Sequence, residues 1–87
     1  MDYQLIDNVA SKQYEFHVGR SIARIEYIKA QEKIYLTHTE VPNAHEGKGV
    51  ASNLVKQVLE DIQEKELTLV PMCPFVAMYI KRYPEWK

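Results

Sequence analysis

The spacing of apolar residues changes once along this chain, at Gly49, and that change limits the fold more than any other feature. Before it, Tyr14, Phe16 and Val18 alternate with Glu15 and His17, and Ala23, Ile25 and Tyr27 alternate with Arg24 and Glu26. That is the two-residue period of half-buried strands. Lys33 to Val41 is a third strand, rich in the β-formers Ile34, Tyr35, Leu36, Thr37 and Thr39. Turns at Gly19-Arg20 and at Lys29 to Glu32 join these strands into an antiparallel meander. Tyr3 to Ile6 is a further strand candidate, and Asp7 to Lys12 a turn region. After Gly49, residues Val50, Ala51, Leu54, Val55, Val58, Leu59 and Ile62 recur at helical spacing, which predicts one long amphipathic helix. Leu67, Leu69 and Val70 follow as a short, nearly all-apolar strand, of the kind found in sheets covered on both faces. Pro74 suits the first turn of a second helix that runs to Arg82. The predicted fold is α/β (α+β): a mixed sheet with an antiparallel meander at one side, one long helix and one short C-terminal helix. The strand–helix–strand unit over 33–70 implies a right-handed parallel crossover.

Composition sets the outer bounds. Eighty-seven residues are enough for one core, so a single domain spanning 1–87 is expected. Eleven basic residues against twelve acidic ones leave a net charge of −1 and no nucleic-acid footprint. A lone cysteine, Cys73, excludes an internal disulfide framework. The opening Met1-Asp2-Tyr3-Gln4 lacks the pattern of a signal peptide, and the uncharged run from Leu67 to Ile80 is too short and too proline-broken to span a bilayer. A cytoplasmic protein without membrane association is the expectation. Three histidines and one cysteine offer little for a closed metal site, and none is expected.

The chemically suggestive stretch runs from Thr39 to Ala51: strand, glycine-bearing loop, helix start. Two of the chain's three glycines, Gly47 and Gly49, sit here beside Lys48. Free amides and the positive end of a helix dipole bind anions, and glycines let backbone approach a phosphate. The Walker A and dinucleotide fingerprints are both absent: no Ser or Thr follows Lys48, and no third glycine follows Gly49 in place.

Val41-Pro42 followed by Gly47-Lys-Gly-Val-Ala resembles motif A of the GNAT superfamily of acetyl-coenzyme A-dependent N-acetyltransferases. That motif reads Gln or Arg, two residues, Gly, one residue, Gly or Ala. Gly49 and Ala51 match its last two positions, and Glu46 departs from the first. His38-Thr-Glu-Val-Pro, Cys73-Pro-Phe-Val, Tyr79-Ile and Tyr83-Pro-Glu-Trp extend the resemblance to the small single-domain members, and so over nearly the whole chain. These members lack the helices that usually wall the acceptor site, in agreement with the turn-sized gap between Ile6 and Tyr14.

The resemblance implies an N-acetyltransferase that takes acetyl-CoA as its acyl donor and an amine acceptor, a protein or peptide among the candidates. It implies pantetheine pairing along Thr39 to Val41 and a pyrophosphate on the backbone of Glu46, Gly47, Lys48, Gly49, Val50 and Ala51. Tyr79, Lys81, Arg82, Tyr83 and Trp86 form a basic-aromatic end suited to the nucleotide of the cofactor, or else Tyr79 and Tyr83 are an i, i+4 packing pair and Trp86 caps the core or an oligomer interface. On this reading Gly49→Pro removes one cradle amide and leaves the fold intact. Cys73 precedes a helix, where thiolate is favoured; it is a candidate proton donor or acyl carrier, or else a small buried hydrophobe. His38 and Glu40, two residues apart on one strand face, are candidate general bases, or a solvated charge pair. A Cys73–His38 thiol hydrolase is a rival that leaves the glycine loop unexplained. A non-catalytic coenzyme A or acyl-CoA binding or regulatory module is the alternative from a different class. A monomer or weak dimer is expected.

Overall fold

A computed structural model of the protein describes residues 3–42 and 49–86. Strands β1 (Ile6–Asn8), β2 (Gln13–Val18), β3 (Ser21–Ala30), β4 (Lys33–Glu40) and β5 (Thr68–Pro71) form one sheet in the order β1-β2-β3-β4-β5. The first four are antiparallel neighbours, and β4 and β5 pair in parallel. Between the last two lies α1 (Val50–Glu64), and α2 (Pro74–Arg82) follows β5. A 3-10 turn over Val9–Ser11 joins β1 to β2, and another over Pro84–Trp86 follows α2. The meander, the long helix and the parallel crossover strand therefore form as their patterns predict. β1 sits slightly later than the Tyr3 to Ile6 stretch, and β3 runs on to Ala30. The β2–β3 hairpin turns on Gly19, whose φ of +62° is costly for a residue with a Cβ.

Both helices cover the same face of the sheet. Tyr14, Phe16, Ile25, Ile34 and Leu36 from the strands close on Leu54, Val55, Val58 and Leu59 of α1 and on Val76 and Ile80 of α2, in one buried cluster. Completely burying each of the larger aliphatic side chains contributes about 1.5–3 kcal/mol. The opposite face carries Glu15, His17, Arg24, Glu26, His38 and Glu40 and has no helix over it among the described residues. The expectation of a last strand covered on both faces is thereby corrected. β5 is an edge strand; its Leu69, and Leu67 just before it, are half-buried against the core on the helix side. Its outer edge is poor in donors. Thr68 and Met72 donate their N–H groups toward β4, Leu67 N–H bonds Ile62 O at 3.1 Å, and Pro71 has no N–H. Alternation leaves Leu69 as the outward donor of β5.

Two polar networks pin the ends of this arrangement. On the helix side, Tyr14 Oη donates to Asp61 Oδ2 at 2.7 Å and Tyr27 Oη to Asp7 Oδ1 at 2.5 Å. Lys65 Nζ ties both carboxylates together, 2.8 Å from Asp61 and 3.1 Å from Asp7. Burial first, then the Asp61 carboxylate, pushes the Tyr14 phenol far above its ordinary range. On the open face, Glu15 is 4 % exposed, with Nδ2 of Asn8 and Nε2 of Gln13 donating to Oε2 and the His17 ring 2.9 Å from Oε1. The His17 and Gln13 contacts hold its carboxyl below the usual glutamate range.

Candidate active site

The site is organised by a β-bulge in β4. Glu26 of β3 pairs with His38, but the next residue, Tyr27, pairs with Leu36. Thr37 is the extra residue, and its hydroxyl donates to Glu26 O at 3.3 Å. An inserted residue shifts the alternation by one. Ile34 and Leu36 face the helices before the bulge; after it, Thr39 faces them and His38 and Glu40 face the open side.

The bulge also marks where β4 and β5 part. Their pairing ends at Leu36 and Pro71. The chain then swings away: the N–H groups of Met72 and Cys73 both bond Leu36 O, at 3.1 and 2.8 Å, and Pro74 starts α2. Beyond Leu36, β4 is paired with β3 alone among the described residues, and its other edge is open through Glu40.

Cys73 sits at the apex of this opening, 4 % exposed, as the residue that precedes the first turn of α2. Its Sγ lies 3.0 Å from Thr39 Oγ1. The three candidate catalytic side chains are therefore not gathered in one place. Cys73 is on the helix side, while His38 and Glu40 are on the open side. Glu40 is held by Arg24, with Nη2 to Oε2 at 2.5 Å, and Arg24 also reaches Glu26 at 3.2 Å. A Cys73–His38 dyad of the hydrolase kind is incompatible with this division of faces.

Of the candidate cofactor positions, Glu46, Gly47 and Lys48 lie outside the described residues, as does His45 of the same loop. Gly49, Val50 and Ala51 form the start of α1. Gly49 precedes the helix with φ +74° and supplies no side chain to cap the first-turn amides, and that turn holds no acidic residue. That φ is beyond proline's reach, so Gly49→Pro disturbs the helix start as well, and the expectation of an intact fold is corrected. Thr39 lines the open edge, and Val41, just past the end of β4, packs partly buried on the core.

Beside the start of α1, a groove of about 640 Å³ runs along α2, lined by Ser52, Pro74, Phe75, Met78, Tyr79, Lys81, Arg82 and Tyr83. Tyr79 stacks at 4.7 Å on Tyr83, and burial raises its phenol above the ordinary range. The packing pair and the groove wall are thus the same residues. Tyr79, Lys81, Arg82 and Tyr83 of this lining belong to the basic-aromatic end that the sequence points to; Phe75 and Met78 do not, although with Tyr79 and Arg82 they recur at helical spacing opposite Val76 and Ile80. Among the described residues, no group of His, Cys, Asp or Glu is placed to hold a metal ion, and no helix is long and apolar enough to cross a membrane.

Fold and site together define an α+β fold whose sheet opens between its parallel strands, with the start of a helix beside the groove that follows. A family model of the GCN5-related N-acetyl-transferases matches residues 13–87, and the chain belongs to that family. It is similar to Protein NATD1 of Gallus gallus, 34% identical over 65 residues that make up 75% of this chain and 58% of the relative. The Homo sapiens Protein NATD1 is likewise 34% identical, with 57% of its length covered, and the Danio rerio protein is 28% identical, with 58% covered. The match thus spans less than two-thirds of these relatives.

Proposed function

We propose that the protein transfers an acetyl group from acetyl-CoA to an amine. The observation that carries this reading is the parting of β4 and β5 beyond Leu36 and Pro71, with Cys73 at its apex; Ser52 in the first turn of α1 lines the groove that begins at Pro74. An open strand edge offers backbone groups to the amide-bearing pantetheine arm, as to an added strand. The groove beside it matches the other end of the same molecule: Phe75 and Tyr79 suit a purine, and Lys81 and Arg82 suit phosphates. The first-turn amides of Val50 and Ala51, which Gly49 has no side chain to cap, suit the pyrophosphate.

The division of faces supports direct transfer. The coenzyme arrives from the helix side, and the amine attacks the acetyl carbon from the open side. His38, exposed there, takes the amine proton directly or through one water. Cys73 hands its proton to the departing coenzyme sulfur. Glu40 is committed to Arg24, so the geometry favours His38 over Glu40 as base.

The test is incubation of the full chain with acetyl-CoA. Binding is read from thermal stabilisation and transfer from mass analysis across a panel of amines and lysine peptides. Binding with transfer to any amine, lost in His38→Asn, is the expected result. Binding with no transfer makes the chain a coenzyme A module, and no thermal shift at all refutes the reading.

A further inference from the structure

We infer that Thr39 is a positioning residue for Cys73, its hydroxyl donating to the sulfur once that sulfur is a thiolate and stabilising it there. The inference deepens the proposed function and rests on it for the catalytic meaning of that thiolate. Three observations carry it. The Sγ–Oγ1 distance is 3.0 Å, close for a contact to sulfur. The bulge at Thr37 gives Thr39 its orientation, since it is the insertion that places Thr39, and not His38, on the face of Cys73. Finally, Cys73 is nearly buried, so water does little to solvate its sulfur, and Thr39 supplies the side-chain hydrogen bond to it that the structure shows.

The direction of the bond follows from the donors. While the sulfur carries its proton either atom can donate; once it is a thiolate only the hydroxyl can, so oxygen then donates and sulfur accepts. A bond to an ionised acceptor is the stronger kind, so the contact strengthens as the thiol loses its proton. In the transfer step the proton passes from Cys73 Sγ to the coenzyme sulfur as the carbon–sulfur bond breaks. The electron pair left on Sγ is then held by Thr39. The same contact serves if Cys73 itself accepts the acetyl group, because the attacking species is again the thiolate.

The experiment reads the thiol without needing the acceptor. The chain holds a single cysteine, so iodoacetamide alkylation followed by intact mass reports Cys73 alone. The probe forms a sulfur–carbon bond and iodide leaves. Alkylation rates are measured against pH for the wild type, Thr39→Val, Thr39→Ala and Thr39→Ser. Loss of the donor moves the pH midpoint up and slows alkylation at neutral pH by about fivefold to tenfold, the size of one hydrogen bond, with the high-pH plateau unchanged. Thr39→Ser restores the wild-type midpoint. An unmoved midpoint overturns the inference, and so does a change in the plateau alone, which reports access to the sulfur. Thr39→Ala serves if Thr39→Val does not fold. Absence of acetyl-CoA binding together with a shifted midpoint defeats the proposed function and leaves the Thr39 contact standing. Binding together with an unmoved midpoint defeats the Thr39 assignment alone.

Discussion

Tyr14→Phe removes one oxygen from a side chain with no exposed surface and leaves its ring packing unchanged. The lost bond is the 2.7 Å donation to Asp61 Oδ2, which ties β2 to the last turns of α1. A hydrogen bond to a charged partner contributes about 1.5–3 kcal/mol. Asp61 is not left alone, since Lys65 Nζ stays at 2.8 Å, so the lower end applies, about 1.5–2 kcal/mol. For a domain of this size that is a fall in Tm of roughly 6–16 °C. The pH dependence gives a second check. Burial alone would raise the Asp61 carboxyl, but the Lys65 and Tyr14 hydrogen bonds outweigh it and hold it below its ordinary 3.8. A carboxyl depressed in the folded state contributes stability above its unfolded pKa and loses it as pH falls through the folded one. The gap between wild type and Tyr14→Phe is therefore full at neutral pH and closes below pH 3.8. Urea unfolding followed by circular dichroism at several pH values measures it. A neutral-pH difference under about 0.5 kcal/mol, well short of the value for a charged bond, refutes the reasoning. So does a difference that persists undiminished in acid.

Glu15→Gln gives up the charged acceptor for Gln13 and Asn8 and should cost about 1.5–3 kcal/mol by chemical denaturation. Because the Glu15 carboxyl is depressed from 4.5, its contribution is present above that pH and is lost on acidification, which titration of wild-type stability will show. Leu54→Ala empties a fully buried position of α1 and should destabilise by about 2–5 kcal/mol, a large part of the total for a small domain, read from the urea midpoint. His38→Asn should slow acetyl transfer by about a hundredfold or more while Tm stays within a few degrees, since the side chain is exposed.

The period change at Gly49 was enough to place the meander, α1 and the parallel return, because each depends on which residues are apolar and at what spacing. The motif A resemblance pointed to the helix start that the structure sets beside the opening. Other features left no such trace. The bulge at Thr37 comes from one residue of slack between β3 and β4, and a period-2 reading through Leu36, His38 and Glu40 runs across it without a break. The faces of the three catalytic candidates could not be assigned for that reason. The Tyr14–Asp61 and Asp7–Lys65 contacts join residues far apart in sequence, and no local pattern announces them. The single covered face of the sheet was hidden too, since an apolar edge strand and an apolar central strand read alike over four residues.

Pro71 has a meaning for how the protein behaves in company. A sheet grows by recruiting strands to a free edge, and recruitment needs donors at regular intervals. Along β5 the interval is broken, because the position two residues beyond Leu69 has no hydrogen to offer. A neighbour's strand docking there finds one rung of a ladder where a regular strand of this length has two. The apolar Leu-Val segment that closes the core can thus lie at the rim of the molecule without serving as a template for others.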